Sequence, residues 1–119
     1  MKPVTLLYHG TSKNYSTAIE EQGLIPVNYD NVYLTADLYV AYSYAKKTEQ
    51  PVICIIDAPQ MAEDGFTFEH DITYAEWTTK IVPSKYVIQV LIESDEDIEK
   101  LAYTVTSCPH SWLTNWIIL

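Results

Sequence analysis

From Pro51 the chain reads Val52, Ile53, Cys54, Ile55, Ile56, a continuous run dominated by β-branched residues with no polar residue in it. A strand with one face in water alternates apolar and polar residues, so an unbroken run is the pattern of a buried strand. The rest of the chain must therefore supply elements that cover a sheet. With 119 residues, it has material for one domain around a single core and not for two.

Ahead of that run the pattern is mixed. Val4 to Tyr8 is a short apolar stretch ending in His9, Gly10 and Thr11, which predicts a strand leading into a turn. Ser12 is a suitable cap for a helix over residues 13 to 22, with Tyr15, Ala18, Ile19 and Gln22 on one face and Gly23 as its stop. Val32 to Thr35 predicts a brief strand, and Asp37 then caps a second helix whose face carries Ala41, Tyr44 and Ala45. Beyond the apolar run, Phe66 to Phe68, Trp77 to Val82 and Tyr86 to Ile92 are strand candidates. This order predicts an α+β domain over residues 1–93, with a split, mostly antiparallel sheet and two helices in its N-terminal half. Residues 94–119 form an extension. It follows an acidic cluster (Glu93, Asp95, Glu96, Asp97, Glu99), ends in Trp112, Trp116, Ile117, Ile118 and Leu119, and is expected to dock on the domain. The competing reading of the tail is a surface for a protein partner.

Charge narrows the partners. The formal net charge is −9, and all seven basic residues are lysines. Without arginine the chain lacks the planar fork that grips phosphates and guanine edges, and it carries too little positive charge for a broad duplex footprint. Stacking on some of its ten tyrosines could still hold a short single strand or a nucleotide end. Cys54 and Cys108 have no metal-binding spacing, and His9, His70 and His110 are scattered, so no metal is expected. The N-terminus has no signal-like apolar core and no stretch reaches membrane-spanning length, which makes the cytoplasm the expected location.

Three separated elements carry chemistry when taken together. In Tyr8-His9-Gly10-Thr11, the glycine would let the backbone approach a flat ligand closely, so that the pair could hold an amide. Tyr33 and Tyr44 stand eleven residues apart, at a strand end and on the following helix, and could bring two rings around an aromatic ligand; a tyrosine stripe of this kind also serves plain core packing. Glu76, opening a late strand, could stabilise a developing cation if it borders a cleft, with Glu69 as a rival.

These residues resemble the His-Tyr-Glu branch of the diphtheria-toxin-like ADP-ribosyltransferases, which includes the poly(ADP-ribose) polymerases. His9 in YHGT, Tyr33 in VYLTAD and Glu76 in EWTTKIVPSKYV match the triad in order, and Tyr44 matches the second tyrosine. The segments HGTS, GLIP, VYLT, VICIIDAPQMAEDGFTF and WTTKIVPSKYV also resemble, over roughly residues 4 to 90, the catalytic lobe of the RNA 2'-phosphotransferases, which share that fold and use NAD. Those enzymes have a histidine where this chain has Tyr33, an apolar residue where it has Glu76, arginines for the RNA phosphate, and an N-terminal lobe for which the position of His9 leaves no room.

The resemblance therefore implies the ADP-ribosyltransferase fold and, as the leading expectation, a NAD-dependent mono-ADP-ribosyltransferase (a glycosyltransferase, perhaps a toxin or effector) with NAD as co-substrate. His9 would bond the adenosine ribose, Gly10 the nicotinamide amide, Tyr33 and Tyr44 would sandwich the ring, Glu76 would bond the reacting ribose, and Thr11 would support the turn. A macromolecular acceptor is expected, protein favoured over nucleic acid, with a partner or antitoxin on the C-terminal tail. The alternatives are an RNA 2'-phosphotransferase-like enzyme and a non-catalytic nucleotide-binding module.

Overall fold

In the structure, a computed structural model that describes residues 2–27 and 30–107, the apolar run lies inside a six-stranded sheet. The chain forms β1 (Leu7–Ser12), a 3₁₀ turn (Lys13–Tyr15), α1 (Ser16–Gln22), β2 (Val32–Thr35), α2 (Leu38–Ala45), β3 (Pro51–Ile56) and α3 (Ala58–Glu63). There follow β4 (Glu69–Asp71), β5 (Glu76–Thr79), a second 3₁₀ turn (Ser84–Tyr86), β6 (Val87–Leu91) and α4 (Asp95–Ser107). The strands stand in the order β4-β5-β2-β1-β3-β6, and every neighbouring pair is antiparallel.

β3 explains itself. Val52, Cys54 and Ile56 join a core with Leu7, Ile19 and Met61, under α1 and α3. Ile53 and Ile55 point the other way, into a second core with Tyr8, Ala41, Ala45 and Leu101, under α2 and α4. A strand between two cores has no polar face, and each large side chain withdrawn from water contributes about 1.5–3 kcal/mol.

The caps follow the sequence. Ser12 Oγ accepts from the Asn14 amide at 3.2 Å, Asp37 Oδ1 accepts from the Tyr39 amide at 2.9 Å, and Gly23 closes α1 with φ 76°. The helix over residues 13 to 22 is present with a 3₁₀ first turn, although Tyr15 and Ala18 face solvent and Ser16 and Ile19 are the buried positions.

Three local expectations are corrected. The His9-Gly10-Thr11 triplet is not a turn but the middle of β1, because β3 pairs with all of it: His9 with Cys54, Gly10 with Ile53 and Thr11 with Val52. The strand expected at Phe66 to Phe68 forms instead at Glu69–Asp71; Phe66 meets the Tyr86 ring edge-on at 5.6 Å and Phe68 packs on Trp77. The six-residue α3, capped by Asp57 and opened around Pro59, was not expected, being too short to show a helical period.

α4 begins at the acidic cluster and buries Ile98 and Leu101, and Tyr42 of α2 donates its hydroxyl to Asp95 Oδ1 at 2.7 Å. The remainder of the tail, Cys108 through Leu119 with His110, Trp112 and Trp116, lies outside the described residues, as does any partner or antitoxin site expected there. Among the described residues no helix is long and apolar enough to cross a membrane.

Candidate functional site

The sheet is breached between β1 and β2. These strands pair at one position only, Tyr8 opposite Thr35; the next position in that register would join Gly10 to Tyr33, and it is not paired. In place of that pairing, His9 Nδ1 lies 3.0 Å from the Tyr33 carbonyl oxygen. A nitrogen facing a carbonyl must carry the proton, so neutral His9 is the Nδ1–H tautomer and Nε2 keeps its lone pair. Burial pushes the His9 pKa below its ordinary value, with the Tyr33 carbonyl opposing in part.

Backbone phase decides what Gly10 offers. Lys13 N–H donates to the Gln50 carbonyl at 3.0 Å, so odd-numbered residues of β1 direct their peptide groups at β3. Those of Gly10 point away from β3, into the breach. The glycine is also required by packing: a Cβ there would stand 2.0 Å from the Ala41 carbonyl oxygen and 3.0 Å from the Ala45 nitrogen. α2 therefore rests directly on β1, and the missing side chain makes room for a helix.

Beside the breach, a cleft of about 640 Å³ opens between α2, the β4–β5 hairpin and α4. Tyr8, Tyr39, Tyr44 and Tyr74 contribute rings to it, and Asp37 and Glu76 contribute carboxylates; no lysine lines it. Tyr39, Tyr44 and Tyr74 are more than half exposed, so their faces are accessible for stacking. Lys47 Nζ sits 5.2 Å over the Tyr44 ring, at the C-terminal end of α2, and brings positive charge to the neighbourhood of that ring. The hairpin is set by Asp71, whose Oδ1 accepts from the Thr73 amide at 3.0 Å, and by Ala75 in the left-handed region at φ 53°.

The sequence-derived set thus divides. Tyr44 and Glu76 line the cleft; His9, Gly10, Thr11 and Tyr33 do not. Strand alternation puts the His9 side chain on the Leu7 and Cys54 face, while Tyr33, Thr35 and Glu76 share the opposite face with Tyr8. The two groups meet at the breach, where the Tyr33 carbonyl and the Gly10 peptide come together. Thr11 is half-buried opposite Val52, and Glu69, exposed on β4, does not reach the cleft. Tyr8, Tyr39 and Tyr74 were missed by sequence reasoning. Only Tyr74 had a signal, an aromatic placed after the turn-forming Asp71. Among the described residues no group of three or more His, Cys, Asp or Glu side chains is arranged to hold a metal ion.

Residues 2–71 match the family model for RNA 2'-phosphotransferase, Tpt1 / KptA family. The chain is 36% identical over 85 residues to a protein of Streptomyces coelicolor named "Probable RNA 2'-phosphotransferase", covering 71% of this chain and 46% of that one. A protein of the same name from Pseudomonas syringae pv. tomato is 36% identical over 89 residues, covering 75% of this chain and 47% of its own length. A third, from Pseudomonas savastanoi pv. phaseolicola, is 43% identical over 67 residues, or 56% of this chain and 36% of its own. The chain thus spans about half the length of the curated relatives it matches.

These matches correct the leading functional expectation. A mono-ADP-ribosyltransferase of the glycosyltransferase class, with a toxin or effector role, gives way to the phosphotransferase reading, because both the family model and the named relatives carry that chemistry. The preference for a protein acceptor over nucleic acid falls with it. Absence of arginine argued against duplex binding, but it does not bear on a single modified ribose in RNA.

Proposed function

The chain belongs to the RNA 2'-phosphotransferase, Tpt1 / KptA family, and on that premise we propose that it takes part in removing a 2'-phosphate from RNA with NAD as co-substrate. The family match over residues 2–71 carries this reading; it includes His9, Gly10, Tyr33 and Tyr44, while Glu76 lies beyond it. The resemblance to NAD-using enzymes supplies the co-substrate and the ADP-ribosyltransferase fold.

The residues present suit NAD in part. Exposed tyrosine rings suit its flat bases, the inward-turned Gly10 peptide suits its amide, and Glu76 suits a ribose hydroxyl. Phosphate charge is the poorer match, since the cleft lining holds two carboxylates and the nearby cations on α2 are Lys46 and Lys47. When bound, NAD would supply a ribose carbon bearing nicotinamide as a leaving group. Gly10 N–H and C=O would hold the amide of that ring, and Tyr44 would stack on its face. Glu76 would orient the ribose and stabilise positive charge developing next to it. His9, with Nδ1 committed to the Tyr33 carbonyl, would accept a hydroxyl proton at Nε2. Lys47 would meet a phosphate near the Tyr44 ring. Glu69 is not used, and Thr11 stabilises β1.

Residues 1–93 would carry this chemistry as one catalytic domain and residues 94–119 would extend it, since α4 lends Ala102 and Val105 to the cleft wall. The test is direct. The purified chain is given NAD and an oligonucleotide carrying an internal 2'-phosphate, and loss of that phosphate is followed alongside nicotinamide release. Both are expected, in equal amounts and only with NAD. An oligonucleotide that keeps its phosphate under all conditions would refute the proposal.

A further inference from the structure

Regular antiparallel pairing from Tyr8 and Thr35 would next join Gly10 and Tyr33, yet that position is open and His9 Nδ1 is 3.0 Å from the Tyr33 carbonyl oxygen. That oxygen is the acceptor to which the Gly10 N–H would donate in a continued ladder, by the phase that the Lys13 to Gln50 bond fixes. On the opposite face, the Ala41 carbonyl of α2 stands where a Gly10 Cβ would be, so the helix bears on the strand at the same residue. β1 is thus held from both sides at one point, by α2 above and by the His9 ring below.

We propose that His9 is a positioning residue: its ring takes the Tyr33 carbonyl in place of the Gly10 amide, stops β1 and β2 from zipping, and keeps the Gly10 peptide groups available to a planar amide. The amide ligand rests on the functional reading above; the spacer role does not. A side chain that only packed would leave the ladder free to close, because the net gain from one more backbone hydrogen bond favours closure by about two- to tenfold. His9 removes that option by occupying the acceptor.

The decisive measurement is amide hydrogen exchange, residue by residue, on the full chain without ligand. In the wild type, Thr11 N–H, which faces β3, should exchange at least about tenfold more slowly than Gly10 N–H. In His9→Ala the Gly10 amide should slow by about two- to tenfold as it takes the Tyr33 carbonyl. In His9→Asn, whose side-chain N–H stands near the position of Nδ1, Gly10 should remain fast. Equal protection of Gly10 and Thr11 in the wild type overturns the proposal, as does an unchanged Gly10 amide in folded His9→Ala. Should the alanine variant not fold, the wild-type contrast and the asparagine variant decide alone, and a slowed Gly10 in the latter counts against the spacer.

Nicotinamide titration, read on the Gly10 amide resonance, separates the two layers. Binding in wild type and His9→Asn, weakened tenfold or more in His9→Ala, supports both. Exchange as expected with no nicotinamide response upholds the spacer and removes the functional reading of the breach.

Discussion

The three glycines of the chain can separate steric from conformational cost, and with it test whether α2 is seated on β1 as described. Gly10 is a strand residue whose added Cβ would lie 2.0 Å from the Ala41 carbonyl oxygen. Backbone cannot swing aside as a side-chain tip can, so Gly10→Ala must push helix and strand apart by more than 1 Å, an overpacking cost near the top of the ~1–3 kcal/mol range. Gly65 is the opposite case: φ is 100° and nothing lies within 4 Å, so Gly65→Ala carries only the conformational penalty of about 1 kcal/mol. Gly23 combines both, with φ 76° and the Val82 carbonyl oxygen at 2.0 Å. At roughly 2.1 cal/mol/K per residue, unfolding this chain carries an entropy of about 0.25 kcal/mol/K, so 3 kcal/mol lowers Tm by about 12 °C and 1 kcal/mol by about 4 °C. Thermal melts followed by circular dichroism should rank the variants Gly23→Ala below or equal to Gly10→Ala, and both well below Gly65→Ala. A Gly10→Ala protein melting within about 2 °C of wild type would show that the helix does not rest on the strand, and the breach geometry would fall with it.

Glu76→Gln should keep nicotinamide binding within a few-fold while NAD-dependent phosphate removal drops by about 10² to 10³, measured as initial rates; an unchanged rate would remove Glu76 from the site. Burial pushes the Cys54 thiol up to about 12, so at pH 8 it should resist iodoacetamide until the protein unfolds, read by mass spectrometry of the Cys54 peptide; prompt labelling would contradict its burial in the sheet. His9 titrates below its ordinary value near 6.5, chiefly because it is buried, so between that value and its folded pKa the unfolded chain binds the extra proton. Stability should therefore fall as pH drops through about 6.5 and level off below the folded pKa; His9→Asn should flatten that limb in denaturant titrations, and an unaltered limb would assign it elsewhere.

What the sequence disclosed was periodicity and punctuation. The β3 run, the Ser12 and Asp37 caps and the Gly23 stop are each local signals, and each is found in the structure. Pairing was not legible, because it depends on which strand lies alongside. His9-Gly10-Thr11 reads as a turn until β3 is laid beside it, and Glu69–Asp71 looks acidic and strandless until β5 pairs with it. The site shows the same division. Tyr44 and Glu76 were found because residue type and spacing mark them, whereas Tyr8 and Tyr39 entered the cleft through alternation and helix phase, which no motif records.

The location of the site follows from how little open backbone this sheet can offer. α1 and α3 cover one face and α2 and α4 the other, so an interior strand has its peptide groups committed to its neighbours and its side chains committed to a core. A ligand that needs backbone donors and acceptors must then find an edge or a gap. The outer edges belong to β4 and β6, and β4 is short, exposed and acidic. The gap between β1 and β2 is different: it is internal, flanked on one side by a glycine that lets a helix close over it and on the other by a carbonyl held by His9. The tyrosine cleft opens next to that gap, on the face of the sheet where Glu76 lies. An aromatic amide with an attached sugar is the shape that can use both at once, amide in the gap and sugar toward the carboxylate, and this is why the breach is the part of the fold on which NAD chemistry would have to depend.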